Sequence, residues 1–280
     1  MPEFSRSETE QLDRANASPQ TPVVFIHGLW LLPSSWDRWA ELFRSAGYVT
    51  LQPGWPDDPE TVAEANANPE VFAHKSVKQV VDHMDAFIHK LKKKPAVVGH
   101  SFGGLFTQML AGRGSSAVSV SIDGAPYRGI RKLPVSSLKA AAPVLMNPLN
   151  RRRAVALTFA QFRFAFANAV SEDEAKELHT TYAVPGSGVP LFQAAAANVD
   201  PWTELKVKTK AKDRGPMLII SGQNDNTVPD VISRKAFELQ SRNAAVTEYA
   251  EMSGRGHSLP IDSGWQEVAE AALNFVKRFT

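Results

Sequence analysis

The chain has 280 residues, of which 43% are hydrophobic and 21% charged, proportions that exclude a disordered, collagen-like or coiled-coil protein. A chain of this length can bury a large core in one domain and still accommodate an inserted subdomain. Its 31 lysines and arginines against 29 acidic residues give a net charge of +2, which is too small to indicate a nucleic-acid partner.

The chain contains no cysteine, which excludes disulfides, thiolate metal sites and a cysteine nucleophile, and which suits a reducing compartment. Residues 1–20 are polar and lack the apolar core of a signal peptide. No apolar run approaches the roughly 18 residues that a membrane helix needs. We therefore expect a cytoplasmic protein that acts on a small molecule and has neither a nucleic-acid nor a membrane partner.

Short runs rich in aliphatic residues alternate with helical runs along most of the chain. The predicted strands are Val23–His27, Val49–Leu51, Ala96–His100, Val118–Ile122, Met217–Ser221 and Val246–Met252. The predicted helices between and after them are Ser35–Ala46, Ser76–Lys94, Phe102–Gly112, Val231–Gln240 and Trp265–Phe279. Most of the strands are continuously apolar, as in parallel sheets covered on both faces. The order predicts an α/β fold with a mostly parallel sheet of about six strands and helices on both faces.

The alternation stops between residues 126 and 214, where the sequence shows no convincing strand. The helical runs there are Val135–Ala142, Ala154–Ala169, Ser171–Tyr182 and Pro190–Asn198. We predict that residues 126–214 form a helical cap inserted into a core made of residues 1–125 and 215–280.

The most specific motif is Gly99-His100-Ser101-Phe102-Gly103, a Gly-x-Ser-x-Gly sequence between a predicted strand and a predicted helix. A sharp strand-to-helix turn strains the serine backbone and presents its hydroxyl above the sheet, and only small neighbours fit such a turn. Ser101 is therefore the predicted nucleophile.

A serine needs a base to remove its proton and a carboxylate to orient that base. His257 lies in a glycine-rich loop after the last predicted strand, where sites of α/β proteins form, and is the predicted base. Asp225, in the loop after Met217–Ser221, is the preferred acid, and Asp123, directly after Val118–Ile122, is the alternative. We expect His100, beside the nucleophile, to point away from the cleft.

Attack on a carbonyl creates an oxyanion that backbone N–H groups can stabilise. The predicted donors are the N–H groups of Phe102, next to the nucleophile, and of Leu29, in the loop His27-Gly28-Leu29-Trp30 after the first strand. The N–H of Trp30 is the alternative to that of Leu29.

These motifs, with Ser101, Asp225 and His257 in that order, resemble the α/β-hydrolase fold superfamily, in particular its capped serine hydrolases of the esterase and lipase kind. The resemblance implies a parallel-rich sheet, a lid inserted after the sixth family strand, and cofactor-free hydrolysis of esters or related acyl bonds. The chain departs from the family in two respects, neither of which concerns the three catalytic candidates. Only about 22 polar residues precede the first predicted strand, so the family's N-terminal antiparallel hairpin is not expected, and Gln52-Pro53-Gly54-Trp55-Pro56 forms a rigid loop in place of a more glycine-rich one.

Phe159, Phe162 and Phe166 fall at helical spacing within the predicted cap, with Phe164 between them, and Phe159 and Phe162 are the preferred substrate-binding candidates. They are expected either to pack in the core of the cap or to line an apolar acyl pocket beneath it, together with Trp30. The second arrangement predicts a fairly apolar, uncharged ester of small to medium size. No metal-ligand or nucleotide motif occurs, so neither a metal nor a cofactor is expected.

The same residues are compatible with related chemistry. The alternatives are a lactonase, an amidase, a thioesterase, a carbon–carbon bond hydrolase and a cofactor-free perhydrolase or haloperoxidase. A ligand receptor with little turnover is the alternative outside enzymes.

Overall fold

A computed structural model of the chain describes residues 4–132 and 134–280. The strands, in chain order, are β1 (Pro22–Ile26), β2 (Val49–Leu51), β3 (Ala96–His100), β4 (Val118–Ile122), β5 (Ala154–Val155), β6 (Gly186–Ser187), β7 (Met217–Gly222) and β8 (Thr247–Met252). Six of them form one sheet in the order β2-β1-β3-β4-β7-β8, in which all neighbouring pairs are parallel. The predicted six-stranded parallel sheet is thereby confirmed.

Helices occupy most of the remaining described chain. They are α1 (Arg6–Ala17), α2 (Asp37–Ser45), α3 (Val62–Ala67), α4 (Val77–Ile88), α5 (Phe102–Gly112), α6 (Val135–Leu145), α7 (Phe159–Ala165), α8 (Glu172–Tyr182), α9 (Val189–Ala196), α10 (Asp230–Gln240) and α11 (Trp265–Lys277). Short 3-10 turns lie at Pro33–Trp36, Pro69–Phe72 and Pro148–Arg152. No helix in residues 4–132 or 134–280 is both long and apolar enough to cross a bilayer.

The sheet is buried on both faces because successive side chains of each strand enter different cores. In β1, Phe25 packs with Trp39 of α2 and Val268 of α11 on one face. Its neighbours Val24 and Ile26 pack on the other face, where α4, α5 and α10 contribute. Strands covered in this way are mostly apolar, which explains the apolar runs, and the buried Ser119 and Ser121 of β4 form hydrogen bonds to Ser116 and to the Gly104 carbonyl.

The chain between β4 and β7, residues 126–214, is named the insertion here. It carries α6 to α9 and a small antiparallel sheet in which β5 pairs with β6. Two predictions for this stretch are wrong. It contains the short strands β5 and β6, and the predicted helix Ala154–Ala169 is shorter, because its first two residues form β5 and α7 covers only Phe159–Ala165. Thr158 and Gln161 form a capping box that begins α7 at Phe159. The residues before that cap are free to pair with Gly186–Ser187.

Hydrogen bonds tie the insertion to loops at the carboxyl ends of the sheet strands. Trp30 Nε1 donates to the carbonyl of Val155 at 2.9 Å, and the Val184 N–H donates to the Trp30 carbonyl at 3.1 Å. Asn168 Nδ2 donates to the Asn224 carbonyl at 2.8 Å. The insertion therefore lies over the edge of the sheet where β1, β3 and β7 end.

The N-terminal segment folds into α1, which the sequence analysis does not predict. A capping box of Ser5 and Glu8 begins this helix, and Leu12 and Ala15 join the core beneath it. The buried carboxylate of Glu8 lies 2.7 Å from Nε2 of His83 on α4. The helix also contacts the segment after β2, because the Gln52 N–H donates to Gln11 Oε1 at 2.6 Å. These contacts place α1 beside the edge strand β2.

Candidate active site

Ser101 occupies the sharp turn between β3 and α5. Its backbone has φ 56° and ψ −120°, a strained conformation for a residue with a side chain. The Ser101 N–H donates to the Ile122 carbonyl and the Ser101 carbonyl accepts from the Ala125 N–H, both at 2.9 Å. Neighbouring β4 and the residues that follow it therefore hold the strained turn in place.

The glycines of the motif are required by packing. A Cβ atom at Gly99 would lie 2.2 Å from the carbonyl oxygen of Gly103, and one at Gly103 would lie 2.0 Å from that of Ile26. Both distances are far below contact, and the opposing atoms belong to the backbone and cannot swing away. The spacing of the motif thus follows from the close approach of β1, β3 and α5.

His257 bridges Ser101 and Asp225. Its Nε2 lies 3.0 Å from Ser101 Oγ, and its Nδ1 lies 2.5 Å from Asp225 Oδ2. All three side chains are buried. Residues 156 and 32 positions apart in the chain therefore meet as a hydroxyl, an imidazole and a carboxylate in hydrogen-bonding contact.

The loop after β7 fixes the carboxylate of Asp225. Its Oδ1 accepts the N–H of Thr227 at 2.6 Å and that of Val228 at 2.8 Å. These bonds leave Oδ2 to face His257, and they supply the charge-assisted hydrogen bonds that a buried carboxylate needs.

Asp123, the alternative acid, also lies near His257. Its Oδ2 is 4.0 Å from Nδ1 of His257 and finds no hydrogen-bond partner within the described chain. Its Oδ1 accepts the Gly222 N–H at 2.8 Å. Burial and then the neighbouring Asp225 carboxylate raise the pKa of Asp123 well above its usual range. Asp225 is thus the carboxylate in hydrogen-bond contact with the imidazole.

The expectation that His100 points away from the cleft is wrong. The ring centroids of His100 and His257 are 4.6 Å apart, and both nitrogens of His100 lack a hydrogen-bond partner in the described chain. Burial, and then the proximity of His257, lower the pKa of His100 well below its usual range. Its ring is therefore a neutral packing partner of the His257 imidazole.

The loop after β1 brings backbone donors to Ser101. A Cβ atom at Gly28 would lie 2.7 Å from Cβ of Ser101, so only a glycine permits this approach. The N–H groups of Leu29 and Phe102 have no acceptor among residues 4–132 and 134–280. They are the two predicted oxyanion donors: Phe102 directly follows the nucleophile, and Leu29 directly follows the Gly28 that approaches it.

An aromatic cluster lies on the insertion side of His257. Phe166, at the C-terminal end of α7, packs edge-on against His257 with 4.8 Å between ring centroids and against Trp30 at 6.1 Å. Phe162 stacks on the far side of Phe166 at 5.1 Å, and Phe159 packs against His179. Phe166, and not the preferred Phe159 or Phe162, is thus the phenylalanine of the helical stripe that contacts His257, a choice that the spacing alone did not make.

His100, Asp123 and His257 also bring three potential metal-ligating atoms within 4.8 Å of one another. His257 has no nitrogen to offer a metal ion in this arrangement, because Ser101 and Asp225 engage both. The cluster therefore does not fit a metal centre.

Residues 23–271 match the sequence profile of the alpha/beta hydrolase family. The chain belongs to the alpha/beta hydrolase family. No curated protein matches the chain significantly in sequence.

Several solved structures share the fold over nearly the whole chain. A monoacylglycerol lipase from Paleococcus ferrophilus superposes with a TM-score of 0.65 at 20% identity, covering 92% of this chain and 95% of the lipase. An extracellular alpha/beta-hydrolase from a Paenibacillus species gives 0.62 at 20% identity, over 91% and 98% of the two chains. A methylesterase from Arabidopsis gives 0.62 at 14% identity, over 92% and 99%. At these identities the likeness is one of fold.

Proposed function

We propose that this family member is a serine hydrolase that cleaves carboxylic esters through an acyl-enzyme formed on Ser101. The observation that carries the proposal is the pair of contacts made by His257, to the Ser101 hydroxyl at 3.0 Å and to the Asp225 carboxylate at 2.5 Å. That arrangement lets the imidazole take the serine proton while the carboxylate stabilises the resulting imidazolium.

The reaction begins with attack of Ser101 Oγ on the ester carbonyl carbon. The proton of the hydroxyl passes to His257 Nε2, and the carbonyl oxygen becomes an oxyanion. Collapse of this tetrahedral intermediate breaks the bond to the alcohol oxygen, which takes the proton from His257. Water activated by the same imidazole then hydrolyses the acyl-enzyme, releasing the carboxylic acid and restoring Ser101.

The N–H groups of Leu29 and Phe102 are assigned to the oxyanion. Each such donor is worth about 3 kcal/mol when it is aimed at the developing charge. The close approach of Gly28 to Ser101 supports the assignment of the first, and the position of Phe102 at the start of α5 adds the helix dipole to the second.

The substrate is proposed to be a small to medium, uncharged ester with an apolar acyl group. Trp30 and Phe166 pack together beside His257, and Phe162 forms the next layer of the same aromatic cluster. Ser101 is only 5% exposed, so a substrate bound at its hydroxyl is largely enclosed by protein, and the proposal places the acyl group against this cluster. The names of the structural neighbours, a lipase and a methylesterase among them, support ester chemistry.

Turnover of p-nitrophenyl butyrate by the wild type and by Ser101→Ala tests the proposal. The variant is expected to lose at least about 10³-fold in kcat, as triad deletions do. Ser119→Ala is the matched control, because Ser119 is equally buried in β4 but bonds to Ser116 away from the site. Turnover by Ser101→Ala equal to that of Ser119→Ala would refute the proposal.

Labelling with a fluorophosphonate separates an ester hydrolase from a receptor with little turnover. The wild type is expected to take up one equivalent on Ser101, and Ser101→Ala none. A wild-type chain that binds apolar ligands yet leaves its serine unlabelled would favour the receptor.

A further inference from the structure

Helix α6 of the insertion presents an apolar face to the outside. Val135 is 82% exposed, Leu138 49%, and Met146, which caps the helix, 84%. Steps of three and eight residues place these side chains on one side of the helix, while Ala140 and Val144 on the opposite side are buried. The helix thus has an apolar stripe where a surface helix of a globular protein carries polar residues.

The stripe continues into the turn that follows α6. Leu149 is 63% exposed there, and the three residues Arg151–Arg153 that come next are all exposed. We name Val135, Leu138, Met146, Leu149 and Arg151–Arg153 the α6 face. Clustered large apolar side chains of this exposure mark an interaction surface.

The sequence segment that contains the α6 face has basic residues and no acidic ones, and of its cations Arg163 pairs with Glu172 just outside it at 2.9 Å. Residues 124–171 contain no aspartate or glutamate. They contain eight cationic residues, namely Arg128, Arg131, Lys132, Lys139, Arg151, Arg152, Arg153 and Arg163. The other 232 residues hold 23 cationic and 29 acidic residues, a net charge of −6. The net charge of the whole chain is therefore near zero although residues 124–171, which include the exposed apolar stripe, are strongly basic.

We infer that the α6 face docks on the surface of an anionic phospholipid bilayer. A helix with an apolar stripe flanked by arginines and lysines lies in the headgroup region, where the apolar side chains enter the acyl boundary and the cations meet lipid phosphates. A second copy of the chain is a poor occupant, since two identical faces would bring six arginines together, Arg151–Arg153 from each copy, without an acid from either face.

The expectation of no membrane partner rested on the lack of a spanning segment, which says nothing about a helix lying on the surface. The inference does not depend on the proposed function, because lipid binding is measured without hydrolysis. It nonetheless places the docked face close to the site. Lys139 of α6 lies over the ring of Phe164 of α7 at 4.2 Å, and α7 ends at the Phe166 that contacts His257.

A fluorescent probe on the α6 face tests the inference directly. The chain has no cysteine, so Met146→Cys provides a single attachment site for an environment-sensitive dye. Glu10→Cys is the control, because Glu10 is exposed on α1, outside the basic segment. With phosphatidylglycerol-containing vesicles at 0.15 M salt, the emission of the dye at position 146 is expected to shift to the blue and that at position 10 to stay unchanged. Vesicles of phosphatidylcholine alone are expected to shift neither.

Removal of charge tests the electrostatic part. The test variant replaces three arginines of the α6 face by glutamine, Arg151→Gln/Arg152→Gln/Arg153→Gln. The control, Lys92→Gln/Lys93→Gln/Lys94→Gln, removes the same charge just before β3, at the opposite end of the sheet strands. Three cations near an anionic surface together contribute up to about 100-fold in partitioning, so the arginine variant is expected to lose at least about tenfold in vesicle co-sedimentation. The lysine variant is expected to bind like the wild type.

Three results would overturn the inference. The first is a wild-type chain that does not sediment with anionic vesicles, and the second is an equal loss in the arginine and lysine variants. The third is a blue shift at position 146 that rises with protein concentration in the absence of lipid, which would identify a second copy as the occupant.

Discussion

The carboxyl oxygen of Asp123 lies 4.0 Å from Nδ1 of His257, the same nitrogen that Asp225 contacts at 2.5 Å. Two buried carboxyl groups thus face one imidazole N–H, and both cannot stay ionised at such proximity. Burial and then the Asp225 carboxylate raise the pKa of Asp123 well above its usual range, whereas Asp225 accepts the N–H groups of Thr227 and Val228. We therefore infer that Asp123 holds the proton of this pair.

This division of the proton predicts different outcomes for two isosteric substitutions. Asp225→Asn is expected to lower kcat of ester hydrolysis by about 10³- to 10⁴-fold, because the amide cannot stabilise the imidazolium. Asp123→Asn, which replaces a neutral carboxyl by a neutral amide, is expected to change it by less than about tenfold. Steady-state kinetics of both variants at neutral pH decide the matter, and a larger loss in Asp123→Asn would assign the acid to Asp123.

Asp123 also predicts how stability depends on pH. Because its pKa is raised in the folded state, the folded chain binds a proton that the unfolded chain releases above about pH 4. The group therefore contributes most stability below that pH, and its contribution declines as pH rises toward the folded pKa. Asp123→Asn removes this decline. The free energy of unfolding of the variant minus that of the wild type should therefore become more positive as pH rises.

Urea unfolding at pH 5 and pH 8 measures the effect. The free energy of unfolding of Asp123→Asn minus that of the wild type is expected to be more positive at pH 8 than at pH 5. Ser119→Ala is a suitable control, because it alters a buried polar group that does not titrate in this range. A difference that is the same at both pH values would show that Asp123 is ionised in the folded chain.

The sheet and the contacts among Ser101, Asp225 and His257 were predictable because local sequence patterns indicate them. Strands buried on both faces are mostly apolar, and the turn at Ser101 admits only glycine at Gly99 and Gly103. Asp225 and His257 follow strands whose carboxyl ends meet at one edge of a parallel sheet. Chain order and strand context were therefore sufficient to bring them together.

Other features depend on contacts that no local pattern encodes. The helix α1 buries little more than Glu8, Leu12 and Ala15, so its apolar periodicity is weak, although its capping box at Ser5 was readable. Phe166 differs from Phe162 only in where α7 ends against the sheet. The exposure of Leu138 and Met146 likewise depends on which side of α6 packs against the rest of the insertion.

The motif glycines make a prediction about folding. Gly103→Ala is expected to destabilise the chain by more than about 3 kcal/mol or to prevent folding, because its Cβ would meet the backbone oxygen of Ile26 at 2.0 Å. Gly47→Ala is the control. Gly47 has φ 91° and open space around it, so only backbone strain of about 1–2 kcal/mol is expected. Thermal unfolding of the two variants compares them, and equal loss would mean that the turn at Ser101 relaxes to accept a side chain.

The aromatic layer beside His257 predicts a change in substrate size. Phe166→Ala removes the ring that packs on His257 and Trp30, and the space should admit longer acyl groups. Phe162→Ala is the matched control, since Phe162 is equally buried and stacks on Phe166 but lies one layer farther from His257. Both truncations should cost about 3–5 kcal/mol of stability, so stability alone does not distinguish them.

The ratio of kcat/KM for p-nitrophenyl octanoate to that for the acetate distinguishes the two variants. It is expected to rise by about tenfold or more in Phe166→Ala, because acyl carbons can occupy the volume of the missing ring, and to change little in Phe162→Ala. An equal rise in both variants would mean that the acyl group reaches past Phe166 to Phe162. An unchanged ratio in Phe166→Ala would place the acyl group on another side of Ser101, away from the insertion.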